Sequence, residues 1–226
     1  YTFLRQWHSR CLSQTTPGHY KSLWKRRGIH PRTLAKFQLA WDKTNRCWLI
    51  PIHKLNEHGK NVLVNLKQWR QDAEGKSEFH GTPTCSSSLF NQPALFPPSH
   101  LPVWICEGEW DALALIAHDP PAIVVAIPGA HSFKEEWIPW FADREVVLLF
   151  DNDDAGQSGS RRVGDALVMH QTSPRSVHAL DWSWEPKNGQ VAQDRALDPV
   201  IGPTPREAYG PDATPGIQPW ESDDDS

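Results

Sequence analysis

Four short apolar runs punctuate the second half of the chain: VWIC (103–106), AIVVAI (122–127), EVVLLF (145–150) and SVHAL (176–180). Between them lie DALALIAH (111–118), FKEEWIPWF (133–141) and GQSGSRRVGDALVMH (156–170), which pattern as amphipathic helices. Runs so short and so apolar suit strands buried on both faces. Their alternation with helical segments predicts a parallel sheet with helices on its faces. In such sheets the chemically active side chains gather just past the carboxyl ends of the strands.

The first hundred residues pattern differently. Residues 1–40 predict short helices: Pro17 precedes HYKSLWKRR, which stops at Gly28, and Pro31 opens RTLAKF where a first helical turn tolerates proline. CWLIPIHKL (47–55) and NVLVNLKQWR (61–70) flank the Gly-containing turn NEHG and predict a hairpin. Residues 71–100 are polar and rich in Pro and Ser, which predicts a loop region joining two units. After Trp184 the periodicity fades, residues from Pro199 to Pro219 are rich in Pro and Gly, and the chain ends ESDDDS. The expected organisation is a small basic α+β subdomain over 1–100, an α/β unit over 101–182, and a Pro/Asp-rich tail or linker over 183–226 that is largely disordered.

Charge sharpens the division. The 226 residues carry a formal net charge of −4, yet residues 1–100 hold 15 Lys and Arg against 5 Asp and Glu, and residues 101–226 hold 8 against 22. Lys21, Lys25, Arg26 and Arg27 bunch on one helical stretch, Arg32 and Lys36 follow, and no acid precedes Asp42. Free Lys and Arg favour phosphate backbones through counterion release. Of the 12 Trp, Trp24, Trp41, Trp48 and Trp69 lie among basic residues, where they either stack on bases or, as Trp more often does, fill the core. Cys11, Cys47, Cys85 and Cys106 form no CxxC pair and the 11 His form no HExxH or HxxEH pattern, so no zinc site and no disulfide framework is expected in this chain. No apolar run approaches the roughly 18 residues of a membrane span, and YTFLRQWHSRCLSQ lacks the apolar core of a signal peptide. The expectation is a cytoplasmic protein with no membrane contact; opening on Tyr1 rather than Met suggests a fragment or processed form.

The strand-end rule selects two places. VWIC runs directly into Glu107, and EVVLLF runs directly into Asp151, with Asp153 and Asp154 close behind. NDDAG on its own reads equally well as a helix cap or a turn. EGEWDA after one strand and DNDDAG after another, on one sheet edge, favour chemistry. Neighbouring carboxylates repel and are costly to bury, so a cation is their natural counterpart. Carboxylate oxygens suit Mg²⁺ or Mn²⁺, and metal-bridged phosphate chemistry follows as the reaction class.

Glu107-Gly108-Glu109-Trp110-Asp111-Ala112, followed by Phe150-Asp151-Asn152-Asp153-Asp154-Ala155-Gly156, resembles the Toprim domain. That domain is shared by bacterial DnaG-type primases, phage primase-helicases, type IA and II topoisomerases and some nucleases. The E-G-x-x-D and F-D-x-D-x-A-G wording looks most like the primases, as does Val125-Ala126-Ile127-Pro128-Gly129-Ala130, a strand ending at a glycine loop. Upstream, Lys25-Arg26-Arg27-Gly28, Ile50-Pro51-Ile52, Gly59, Gln68-Trp69-Arg70 and Ser88-Leu89-Phe90-Asn91 resemble the basic subdomain that primases carry before Toprim. The resemblance covers residues 17–182.

The resemblance implies a Toprim domain over 101–182 and a DNA primase core, a DNA-directed RNA polymerase that makes RNA primers on single-stranded DNA by metal-dependent nucleotidyl transfer. It implies Glu107 as general acid/base or metal-positioning carboxylate, Asp151 and Asp153 as catalytic metal ligands, and Asp111 as a further metal carboxylate around two Mg²⁺ or Mn²⁺ ions. It implies nucleotide or nucleic-acid contacts at Lys25, Arg26, Arg27, Lys67, Arg70, Gly108 and Gly129. Expected partners are the single-stranded DNA template and NTPs, with a replicative helicase or single-strand-binding protein beside them, in a bacterial, phage or plasmid setting.

The chain departs from the family in three places. The Lys-Asp motif that often follows the next strand is missing, and only Asp181 stands there. The zinc-binding domain that usually precedes the primase core has no counterpart. Gly75-Lys76-Ser77 is not a P-loop, because Arg70 occupies the required upstream glycine position. A Toprim nuclease and a non-catalytic nucleic-acid-binding or helicase-associated module are the alternatives. A topoisomerase fits less well, since Tyr1, Tyr20 and Tyr209 lie at termini or loops.

Overall fold

Capping residues and prolines fix the N-terminal helices. The structure, a computed structural model, describes residues 2–71, 75–97, 99–180 and the backbone of 217–219. After α1 (Thr2–Gln14), the Thr16 hydroxyl accepts from the His19 N–H and the His19 ring accepts from the Thr16 N–H, a reciprocal cap that opens α2 (Pro17–Arg27). Gly28, at φ +69°, ends α2, and Pro31 opens α3 (Pro31–Lys36). Lys25, Arg26 and Arg27 occupy the last turn of α2, at the negative end of its dipole.

The hairpin forms as expected from β2 (Cys47–Leu55) and β3 (Asn61–Gln71). Two short strands extend it into an antiparallel sheet in the order β1-β2-β3-β4: β1 (Ala40–Asp42) and β4 (Ser77–Gly81). β4 corrects the reading of residues 71–100 as loop throughout. SEFHG is polar and mostly exposed, so only its pairing to β3 marks it as a strand. Ser77 thus opens a strand rather than a helix, which removes GKS from any P-loop geometry.

α1 covers one face of this sheet, with Leu4, Trp7 and Cys11 packed against Leu49, Leu63 and Leu66. The other face holds Ile50, Val64 and Trp69, under Leu23 of α2 and Leu34 of α3. β3 carries one extra residue where Ile52 opposes Asn65 and His53 opposes Leu63. This bulge reverses the phase of alternation, so that Leu63 and Leu66 share one face while Val64 and Trp69 share the other.

The second sheet runs β6-β5-β7-β8 in parallel: β5 (Val103–Cys106), β6 (Ile123–Ala126), β7 (Glu145–Leu149) and β8 (Ser176–Leu180). Side chains alternate between two cores. Cys106, Val124 and Ala126 face α4 (Glu109–Ala117) and the hairpin, whereas Ile105, Val125, Val146 and Leu148 face α5 (Asp154–Met169) and residues 135–141. FKEEWIPWF is not an α-helix: Glu135–Phe141 forms a 3₁₀ helix with Pro139 inside it. Proline lacks the N–H a longer α-helix would need, and Trp137, Ile138 and Phe141 are buried all the same.

The two sheets share a core. Leu23, Ile50 and Trp69 pack with Trp110, Leu113 and Val124. The connection tightens this. Phe90 exchanges backbone hydrogen bonds with Ala126, Asn91 Nδ2 donates to the Val124 carbonyl, and buried Gln92 accepts from the Leu55 N–H. Of the tail over 183–226, only Ile217–Pro219 is described, as a strand (β9) antiparallel to β8; the rest lies outside the described residues.

Candidate active site

Cys106 is paired with both Ala126 and Leu149, so β5, β6 and β7 end level. Glu107 leaves β5 at that level, the 127–130 loop leaves β6, and Asp151 follows Phe150 beyond β7. Glu107 Oε2 accepts the Asp151 N–H at 3.3 Å, which ties the two strand ends together. Asp111, in the first turn of α4, faces both: burial first, then the Asp151 and Glu107 charges, push its carboxyl up to about 6, against the pull of Arg27. Burial also raises Glu107, with Asp151 and Asp153 adding to the rise while the Asp151 N–H and His131 oppose it. Asp151 is raised by burial and by Asp153. Asp153 caps α5, its Oδ1 accepting the Gly156 N–H at 2.7 Å, and Asp154 begins the helix. Glu107, Asp111 and Asp151 therefore stand near one another with raised proton affinity, and the Asp153 charge contributes to the rise at Glu107 and Asp151.

Small residues make this proximity feasible. A β-carbon on Gly156 would lie 2.2 Å from the Asp151 carbonyl oxygen, so α5 can start directly against the Asp151 backbone only with glycine there. On Gly159 it would meet Ala130 at 2.9 Å, which seats α5 on the 127–130 loop. Gly129 holds φ +133°, a backbone that other residues rarely adopt. Gly108 is the N-cap of α4, and a β-carbon there would come within 2.9 Å of the Asp111 carboxylate.

Residues 104–183 match the family described as Toprim-like. The parallel sheet with level carboxylates spans the same residues. This part of the chain is similar to a Toprim-like domain. The whole fold is similar to two solved primase cores. A structure comprising the zinc-binding and RNA polymerase domains of the Aquifex aeolicus primase superposes with a TM-score of 0.62 at 15% identity, covering 84% of this chain and 59% of that one. The DnaG catalytic core superposes at 0.59 with 14% identity, covering 80% of this chain and 70% of that one. This chain thus spans 59% of the length of the first of these structures. No curated protein matches it by sequence.

The basic half faces the Toprim-like domain through Arg27, Lys67 and Trp69. The Arg27 guanidinium lies 4.6 Å from the ring centre of Trp69 and 5.0 Å from that of Trp110, and those indoles meet edge-on at 5.1 Å. Burial lowers the Arg27 pKa while Asp111 raises it, so this cation stands beside the carboxylate cluster. Lys67 lies beside the same edge but is buried: its Nζ is 3.2 Å from Glu109 Oε1 and donates to the Pro128 carbonyl at 3.2 Å. Burial pushes the Glu109 carboxyl up and the Lys67 ammonium opposes it. Lys67 therefore braces the hairpin, α4 and the 127–130 loop. Arg70 is exposed and paired with Glu78 across β3 and β4.

Lys25 and Arg26 are exposed on α2. Arg26, Arg46 and Arg70 rim a groove of about 720 Å³ whose walls include Trp41 and Trp48. Of the four tryptophans among basic residues, Trp24 is exposed, Trp41 half-buried, and Trp48 and Trp69 belong to the core. Sequence reasoning missed the Lys67–Glu109 brace, the stacking of Arg27 and the approach of His131 to Glu107. The Glu in E-G-E was the visible signal for the first.

The donor chemistry fits a divalent cation: hard carboxylate oxygens from Glu107, Asp111, Asp151 and Asp153, with repulsion that raises Glu107, Asp111 and Asp151 and that a cation relieves. Among the described residues no three His, Cys, Asp or Glu side chains close on one point. Asp181 lies outside the described residues.

Proposed function

We propose that this chain is the catalytic core of a DNA primase, making RNA primers on single-stranded DNA by metal-dependent nucleotidyl transfer. The observation that carries this reading is the level cluster of Glu107, Asp111, Asp151 and Asp153, with Arg27 held beside it by Trp69 and Trp110. Glu107, Asp151 and Asp153 are the catalytic carboxylates in this reading, and with Asp111 they hold Mg²⁺ or Mn²⁺. When bound, such ions neutralise phosphoryl oxygens and the leaving pyrophosphate.

The chain's own residues supply positioning. The Asp151 N–H orients Glu107, whose raised proton affinity suits it to hold a proton from the attacking hydroxyl. Arg27, partly buried over the two indoles, contacts the incoming triphosphate. Gly108 and Gly129 let the triphosphate approach the backbone. The groove rimmed by Arg26, Arg46 and Arg70 carries the template strand, with Trp41 and exposed Trp24 available to stack on bases. Lys25 adds a phosphate contact at its edge. A replicative helicase or single-strand-binding protein would present that strand.

The test is primer synthesis on single-stranded DNA with NTPs and Mg²⁺ or Mn²⁺. Product that disappears in Asp151→Ala supports the reading. Metal-dependent nicking of DNA without NTPs would instead identify a nuclease.

A further inference from the structure

A second cavity, of about 570 Å³, lies between α1, the end of α3, the hairpin and the 88–93 connection. Its polar lining is one-sided: Arg5 and His8 from α1, Lys36 from α3, His53 from β2, Asn61 from β3 and Asn91 from the connection, with no Asp or Glu among the lining residues. Two cations (Arg5 and Lys36), two imidazoles and three amides (Gln38, Asn61 and Asn91) line one space without a protein counter-charge. An anion would complete such a set with charge-assisted hydrogen bonds.

His8 donates through Nε2 to the Gln38 carbonyl at 2.8 Å. Burial and the neighbouring His8 push His53 down to about 4, and burial lowers His8 as well, so both rings are neutral at pH 7. The rim is held in uncommon backbone geometry: Gln38 at φ +54° and Asn91 at φ +59° are both non-glycine residues in the left-handed region. Such strain collects at ligand clamps when the surroundings enforce it. Asn91 is pinned by its bond to Val124, so the polar wall is preformed.

We infer that this cavity binds a phosphate ester of about nucleotide size, at a site separate from the carboxylate cluster. Arg and Lys supply charge-assisted donors, the His53 ring and the amides supply further donors around a tetrahedral anion, and Phe37 offers an apolar wall to the remainder of the ligand. A free mononucleotide and the 5′-phosphate end of an oligonucleotide share this chemistry. The site borders the Phe90–Ala126 bridge that joins the basic half to β6, so a bound ligand would stiffen that junction.

The inference is independent of primer synthesis and is tested without divalent metal. The imidazole C–H signals of His8 and His53 are followed by NMR in the full chain during titration with inorganic phosphate, AMP, a 5′-phosphorylated trinucleotide and the same trinucleotide without phosphate. The phosphate-bearing probes should shift both signals saturably and raise the His53 pKa, with affinity increasing as pH falls. Stronger binding of AMP or of the phosphorylated trinucleotide identifies the source. Arg5→Gln with Lys36→Gln should weaken binding about tenfold or more while primer synthesis on long template is retained. Equal shifts with sodium chloride at matched ionic strength, equal shifts with the unphosphorylated trinucleotide, or undiminished binding by the double variant would overturn the inference. Its failure leaves the primase reading intact, because no carboxylate of the cluster takes part.

Discussion

Two glycines that look alike in sequence act on different atoms. Gly156→Ala would drive a methyl group into the Asp151 backbone, which cannot give way without moving the strand end or α5. A loss on the order of 3 kcal/mol is expected, read as a lower urea midpoint. Gly108→Ala meets only the far end of the Asp111 side chain. That variant should fold with near-normal stability yet bind Mg²⁺ more weakly, because the carboxylate must turn away. Asp111 itself carries a pH signature. Its folded carboxyl sits at about 6, above the ordinary 3.8, so its stabilising share is present below about pH 4 and is lost as pH rises through 6. In metal-free buffer at pH 7, Asp111→Asn should therefore raise stability, by about 1 kcal/mol once solvent screening at this exposed residue is allowed for, and the gain should vanish near pH 4. Equal gains at both pH values would show that repulsion within the cluster is not the cause.

At the scale of elements, the brace between β3 and α4 makes a separate prediction. Lys67→Met leaves Glu109 buried without its cation and should cost about 3–5 kcal/mol in urea unfolding. Adding Glu109→Leu should return most of that loss, a result that a phosphate-binding Lys67 would not give. The brace also marks the boundary of what the sequence reveals. Apolar runs flanked by Gly, Pro and acidic residues identified the parallel strands, the hairpin, α4, α5 and the place where Glu107 and Asp151 leave the sheet. β1 and β4 escaped because they are short and their pairing is with distant residues. The 3₁₀ segment patterned as an α-helix because burial of Trp137, Ile138 and Phe141 mimics helical spacing across Pro139. The burial of Lys67 depends on the β3 bulge, and no local pattern announces a phase reversal. Arg27 read as one more cation in a basic run, since only the fold sets Trp69 and Trp110 edge-on to each other beneath it.

On the scale of the whole molecule, the charge division becomes two surfaces on one shared core. Basic α2 and the groove rimmed by Arg26, Arg46 and Arg70 stand on one side, and the carboxylate cluster stands at the end of the parallel sheet. Binding of single-stranded DNA should fall steeply with salt. Arg26→Gln together with Arg46→Gln should reduce the slope of log K against log salt by about 1.4, two phosphate contacts at about 0.7 each, without changing Mg²⁺ affinity. The most direct single measurement is template-dependent primer synthesis by the purified chain on single-stranded DNA with NTPs and Mg²⁺ or Mn²⁺. The expected result is short RNA products whose formation requires divalent metal and is abolished in Asp151→Ala; absence of product at every metal concentration, or equal product from Asp151→Ala, would contradict it.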